Sequence, residues 1–357
     1  MADVRGSVLD EIERIVPLDS AWRAAAWERL DALTKPPRSL GRLETVAAQI
    51  AGVQGTVTPS SRPAAVVVFA GDHGVAAHGV SAYPQEVTAQ MVYNFAAGGA
   101  AINQIARSAG ADLVVYDVGV AAPLDGAPGV RHAKVRAGTA DMTLGPAMTL
   151  DEAVQALEVG FRAARELIES GMRVIAIGEM GIGNTTAATA LACALVPAEP
   201  ADVVGPGTGL DEHGIARKQA AVERALAVNS ATAADPLGAL AAVGGLEIAA
   251  MAGAVLGCAR HGAVALVDGF ISTAAALVAV RLAPASAGYL VASHRSRERG
   301  HAVLLEAIGA EPLLDLDLRL GEASGAALAL PLLDAACAVI GGMATFEEAG
   351  VSKAEGS

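Results

Sequence analysis

The chain has 357 residues, of which 53% are hydrophobic and only 3% aromatic, and its net charge is −13. That length suits one large domain or two smaller ones, and the acidic balance argues against a basic nucleic-acid-binding surface. Three widely spaced cysteines, Cys193, Cys258 and Cys337, argue against a disulfide framework and for buried thiols in a reducing cytoplasm.

The opening stretch MADVRGSVLDEIERIVP carries acids among its apolar positions, so no secretory leader is expected. Residues 1–50 read as helical, with a break near Thr34 to Arg38 and with Trp22, Ala26, Leu30 and Leu33 at helical spacing. After a Pro/Ser-rich hinge, TPSSRP at 58–63, short apolar runs alternate with Ala-rich helical stretches. Strands are predicted at 64–70, 112–118, 173–177, 263–267 and 288–292. Most of the intervening segments are long enough for a crossover helix, which predicts an α/β fold with a parallel sheet. Residues 237–259 are long and apolar, but Glu247 and the Gly244-Gly245 break predict a buried helix or helix pair rather than a membrane span. The alternating segment LLDLDLRL, 313–320, fits an edge strand or an extended loop, and 323–345 reads as helix.

The apolar runs end at Gly71-Asp72-His73-Gly74, Gly119, Gly178-Glu179, Asp268-Gly269 and Ser293-His294-Arg295. Open α/β sheets bind ligands at the carboxyl ends of their strands, so a site is expected there. The Gly178 to Thr186 loop fits a phosphate cradle at a helix N-terminus. It lacks both GxxxxGK[ST] and GxGxxG, and a plain strand-to-helix turn explains it equally well. A second loop places Gly205, Gly207 and Gly209 before a helix capped near Asp211. Lys218 lies about two turns along that helix, reaching back or facing solvent. Glu322, between apolar residues, reads either as a helix-dipole charge with Ser324 as local cap or as a general base of raised pKa. The seven histidines show no metal-ligand spacing, so no metal site is expected.

The blocks KPPRSLGRLE (35–44), FAGDHGVAAHGVSAYPQEVTAQMVYNFAAGGAAIN (69–103), IGEMGIGNTTAATAL (177–191), VGPGTGLDEHG (204–214), LVDGFISTAAAL (266–277), ASHRSRERGH (292–301) and LRLGEASGAALALPLL (318–333) span nearly the whole chain. In this order they resemble the nicotinate-nucleotide:dimethylbenzimidazole phosphoribosyltransferases of cobalamin nucleotide-loop assembly. The resemblance implies transfer of phosphoribosyl from nicotinate mononucleotide to 5,6-dimethylbenzimidazole, giving α-ribazole 5′-phosphate and nicotinate, with no metal or organic cofactor. It implies a Rossmann-like sheet domain over 60–320, a small helical domain from 1–59 and 321–350, and a homodimer. It implies Glu322 as the catalytic base, with Ala323 where a glycine is expected, and Glu179 as the second active-site carboxylate. Phosphate contacts fall on Gly181, Gly183, Asn184, Thr185, Gly207, Thr208 and Gly209, with Lys218 nearby. The benzimidazole pocket falls on Ser81 and Gln90.

The chemistry accounts for a carboxylate beside an anion loop. A nicotinate leaving group is a pyridinium, which departs with its charge discharged and needs no general acid. The acceptor must shed one proton, so one base suffices. A carboxylate near the sugar stabilises an oxocarbenium-like transition state. A nucleotide-dependent oxidoreductase would need a dinucleotide fingerprint that neither loop supplies. A mononucleotide-binding sensor would not need Glu322. Benzimidazoles, purines and phenols all remain open as acceptors, decided by pocket shape around Ser81, Tyr83 and Gln90.

Overall fold

Apolar strands without polar alternation belong in a sheet covered on both faces, and the structure, a computed structural model describing residues 4–352, has that arrangement. The first three residues of the expected helical N-terminus lie outside the described residues. Among the described residues, six parallel strands form one sheet: β1 (Ala64–Gly71), β2 (Asp112–Gly119), β3 (Arg131–His132), β4 (Val174–Met180), β5 (Val264–Val267) and β6 (Leu290–Ala292). Their order is β3-β2-β1-β4-β5-β6. The winding reverses between β1 and β4, which is where such sheets leave a crevice for ligands.

The expected strands are present with shifted ends. β4 runs past Ile177 through Gly178, Glu179 and Met180, so Glu179 sits on the strand opposite Phe69 of β1 and not in a loop. Gly288 and Tyr289 belong to a 3-10 turn that shortens β6. Segment 313–320 is an extended loop with a single bridge, Leu314 to His294. Asp317, at φ 58°, turns this loop off the sheet edge. The short β3 had no signal in the apolar pattern, because both its residues are exposed.

The helices are α1 (Val4–Glu13), α2 (Ser20–Ala32), α3 (Arg42–Gln54), α4 (Val87–Ala96), α5 (Ala101–Ser108), α6 (Leu150–Glu169), α7 (Asn184–Leu195), α8 (Pro200–Val203) and α9 (Glu212–Asn229). They continue with α10 (Pro236–Val243), α11 (Leu246–His261), α12 (Phe270–Leu282), α13 (His301–Ala307), α14 (Ser324–Gly342) and α15 (Phe346–Ala349). The apolar stretch 237–259 is the pair α10 and α11, split at Gly244-Gly245. α14 is the one helix among the described residues long and apolar enough to cross a membrane, and half of its apolar window is buried. The two chain ends meet: Arg29 Nε donates to Ile340 O at 2.6 Å, and Thr34 N to Ala344 O at 3.0 Å.

The scarcity of aromatics has a packing consequence. α6 and α11 approach until their backbones touch, through Gly160, Gly253 and Gly257. A Cβ on Gly160 would overlap the Ala250 carbonyl oxygen, and one on Gly253 would overlap that of Leu157. These atoms are backbone and cannot rotate away. Gly160→Ala and Gly253→Ala should each lower unfolding free energy by about 1–3 kcal/mol or more, measured as a fall in urea midpoint. An unchanged midpoint in both would mean that the helices do not touch here.

Candidate active site

A cavity of about 530 Å³ opens at the carboxyl ends of β4 and β5. One end is built from carboxylates. β4 delivers Glu179, the residue after β5 is Asp268, and the turn before α14 delivers Glu322; all three line the cavity and are buried. Glu247, in the first turn of α11, is buried behind them.

Glu179 is pushed up to about 8 by burial, by the charges of Glu247 and Asp268, and by Glu322; Asn184, whose Nδ2 donates to Glu179 Oε2, opposes the shift. Glu247 Oε1 is bonded to His73 Nε2 at 2.6 Å. Burial disfavours the His73 cation, but Glu247 and Asp72 prevail and its pKa is raised. Asp268 is pushed up to about 7 by burial, against the pull of backbone amides. His294, beside it, is lowered to about 4 by burial and is neutral near pH 7.

Glu322 rests on an unusual stretch of backbone. Gly321, Glu322 and Ala323 have φ of 83°, 60° and 63° in succession. The left-handed region costs a non-glycine residue about 1–2 kcal/mol. Ala323 therefore occupies a conformation that favours the glycine expected there. The turn presses on β4: a Cβ on Gly178 would overlap Ala323, and one on Gly321 would overlap Glu179 Oε1. Burial raises the Glu322 pKa, and the Ile102 amide in the first turn of α5 opposes it. Glu322 Oε2 is buried with no hydrogen-bond partner.

The other end is built from donors. α7 starts at Asn184 with Gly183 as N-cap at φ 96° and no side-chain cap, and its Asn184 and Thr185 reach the cavity wall. An uncapped helix N-terminus favours an anion. Lys218 is fully buried beneath this wall and donates to Thr185 Oγ1 at 2.8 Å and Gly205 O at 3.2 Å. Burial lowers it to about 8 while Glu298 opposes. Arg319 lines the mouth, with Nη1 3.5 Å from Gly207 O.

The structure thus brings together Glu179, Glu322, Gly181, Asn184, Thr185, Gly207 and Thr208 in the lining of one cavity. The other expected residues stand outside that lining. Lys218 acts through Thr185, and Gly183 packs towards His73. Gly209 is exposed. Ser81 Oγ bonds Thr208 Oγ1 at 3.1 Å, so it touches the wall through another side chain. Gln90 is exposed on α4, whose cavity-facing residues are Val87 and Met91, with Tyr83 before them. Sequence reasoning had given no role to Arg319 or Phe270, or to Asp268 and His294 beyond marking strand ends. Ser324 is buried, but no side chain of α14's own N-cap closes that helix.

A phosphoribosyltransferase family model matches residues 15–351. The chain is 56% identical over 334 residues to the nicotinate-nucleotide-dimethylbenzimidazole phosphoribosyltransferase of Pseudomonas aeruginosa, covering 94% of this chain and 95% of the relative. It is 52% identical over 342 residues to the protein of that name from Chloroflexus aggregans, covering 96% and 97%. The crystal structure of CobT from Thermus thermophilus matches with a TM-score of 0.90 at 53% identity, covering 94% of this chain and all of that one.

The raised Glu179 pKa is also a statement about stability. Between its ordinary 4.5 and about 8, folded Glu179 keeps a proton that the unfolded chain has released. Its contribution is therefore present at pH 4 and lost as pH rises towards 8. Glu179→Gln carries no such loss, so its melting temperature relative to wild type should climb steadily from pH 5 to pH 8. A pH-independent difference would place Glu179 in contact with water or with a cation.

Proposed function

The chain belongs to the nicotinate-nucleotide-dimethylbenzimidazole phosphoribosyltransferase family, and we propose that it transfers phosphoribosyl from nicotinate mononucleotide to 5,6-dimethylbenzimidazole, in cobalamin biosynthesis. The observation that carries this reading is the two-ended cavity: carboxylates at one end, an uncapped helix start with Lys218 and Arg319 at the other. The donor has the matching polarity, a phosphate on one side of its ribose and a cationic ring on the other. Tyr83, Val87, Met91 and Phe270 add an apolar wall that suits a planar aromatic acceptor.

In the reaction, an acceptor ring nitrogen forms the bond to C1′ while the C1′–N1 bond to nicotinate breaks. The electron pair of that bond neutralises the pyridinium. Attack on the opposite face turns a β-linkage into an α-linkage. The proton from the acceptor's second nitrogen goes to Glu322, a cavity-lining carboxylate whose Oε2 has no hydrogen-bond partner. Burial raises the Glu322 pKa, which makes it a stronger base. Glu179 faces the ring and the anomeric carbon, where positive charge resides and then develops. Gly181, Asn184, Thr185, Gly207 and Thr208 hold the phosphate, with Lys218 fixing Thr185 from behind. The balance involves no redox step and no organic cofactor. The catalytic domain is 60–320, and the small helical domain is 1–59 with 321–350, so the boundary falls in the turn carrying Glu322. A homodimer and a cytoplasmic location belong to the same reading.

The test is a product assay with both substrates, read by chromatography and mass for α-ribazole 5′-phosphate. Glu322→Gln should lower kcat by about 100-fold or more with donor Kd within about threefold. Near-wild-type turnover would remove Glu322 from the base role. Donor binding makes a second test. The empty site holds a proton on Glu179 below about pH 8, and the cationic ring favours its release. Donor affinity should strengthen from pH 6 to pH 8, by at most about tenfold per unit, with proton release seen by calorimetry in two buffers. Affinity independent of pH would place the ring elsewhere.

A further inference from the structure

We propose that Asp268 is a positioning residue, whose carboxylate caps the N-terminus of α14 from another element and thereby holds Glu322 in the cavity. The inference rests on the reading of Glu322 as the base, and it concerns how that base is kept in place.

The turn Gly321–Ala323 does not hold itself. Two of its three residues are non-glycine in the left-handed region, a conformation that persists only where the surroundings over-determine it. The helix that follows lacks the usual local remedy. Its N-cap is Ala323, which has no side-chain acceptor to offer the free amides of the first turn. Those amides are directed at Asp268 instead. Ala326 N donates to Asp268 Oδ1 at 3.0 Å, and the amides of Gly325, Ala323 and Gly269 also act on the carboxyl. Asp268 is 1% exposed, so water does not compete for these bonds.

The rest of the enclosure limits where the turn can go without tying it down. A Cβ on Gly325 would overlap the His294 ring, and Gly178 and Gly321 are in the same position against Ala323 and Glu179. His294 Nδ1 lies 3.1 Å from Ser293 Oγ and 3.6 Å from Asp268 Oδ1, so the ring braces the carboxylate that braces the helix. Asp268 follows β5 directly. The sheet therefore sets the height of α14, and α14 sets the height of Glu322. Asp268 also lines the cavity, so the competing role is direct contact with the ligand as a second charge.

Capping and charge respond differently to substitution. Asn caps through a single oxygen where the carboxylate offers two to the several amides gathered on it, so Asn keeps part of the cap, and Ala is not a cap. Asp268→Asn should lower kcat by about tenfold, and Asp268→Ala by about 100-fold, the cost of misplacing a reacting group by about an ångström. Donor KM should stay within about threefold in both. The decisive comparison is Asp268→Asn in wild type and in Glu322→Gln. A residue that acts through Glu322 has nothing left to lose once the base is gone. The double variant should therefore turn over within about twofold of Glu322→Gln alone. If Asp268→Asn costs the same factor on both backgrounds, or if Asn and Ala are equally harmful, Asp268 acts on the ligand by charge and the proposal fails. Wild-type turnover in Asp268→Asn and Asp268→Ala together would also overturn it. Should the alanine variant not fold, the Asn cycle decides alone. Full activity in Glu322→Gln would instead refute the base assignment, a result distinguishable because it does not involve Asp268.

Discussion

Four buried carboxylates gathered in one small volume are the constraint on which the rest of this site depends. Each buried charge would cost several kcal/mol if left uncompensated, and Glu179, Glu247, Asp268 and Glu322 are each compensated differently. Glu247 shares a short bond with His73. Asp268 collects backbone amides at the head of α14. Glu179 has one amide side chain, from Asn184, and a pKa near 8 that keeps its proton. Glu322 has one backbone amide and one oxygen with nothing attached. Glu247 and Asp268 thus find their partners inside the protein, although Glu247 Oε2 is buried without one. Glu179 and Glu322 are the least compensated of the four, and with Asp268 they border the space a ligand can enter.

The same crowding explains where side chains had to be removed. Gly71 and Gly245 face Glu247 Oε2, Gly321 faces Glu179, and Gly325 faces His294. Any side chain there would displace a carboxylate or the ring that braces one. The sequence's abundance of glycine and alanine is in this sense a property of the site as well as of the helix packing at α6 and α11. A core of aromatic residues would hold these backbones too far apart for the cluster to close.

What could be read in advance follows from range. Strand ends, glycine loops and the cap at Asp211 are encoded within a few residues, and the structure shows each close to its expected place. The pairing of Asp268 with a helix 58 positions later is not local, nor is that of Lys218 with Thr185 or Glu322 with the α5 amide. Composition rules carry no signal for such contacts. Gln90 shows the converse limit. Its motif points to the acceptor pocket, but helical phase turns it out to solvent and turns Val87 and Met91 in. Segment 313–320 alternates like a strand, yet its last residues are needed over the cavity mouth, and Asp317 bends it there.

Charge bookkeeping along the proposed reaction shows why one cavity can both hold the donor and release what it makes. The donor brings a cationic ring to a carboxylate cluster that is otherwise protonated or frustrated. As the C1′–N1 bond lengthens, the positive charge moves from the ring to the sugar, a few ångströms away, and the carboxylates favour it at both places. When the new bond closes, the charge passes to the acceptor ring and leaves as a proton on Glu322. Nicotinate is then an anion next to carboxylates, and α-ribazole phosphate has a neutral base. The attraction that assembled the complex is thereby removed by the reaction itself, while the donor end of the cavity still holds only the phosphate. In the proposed reaction the acidity of the site would thus serve binding and transition-state stabilisation with one set of groups, and would cease to act once transfer is complete.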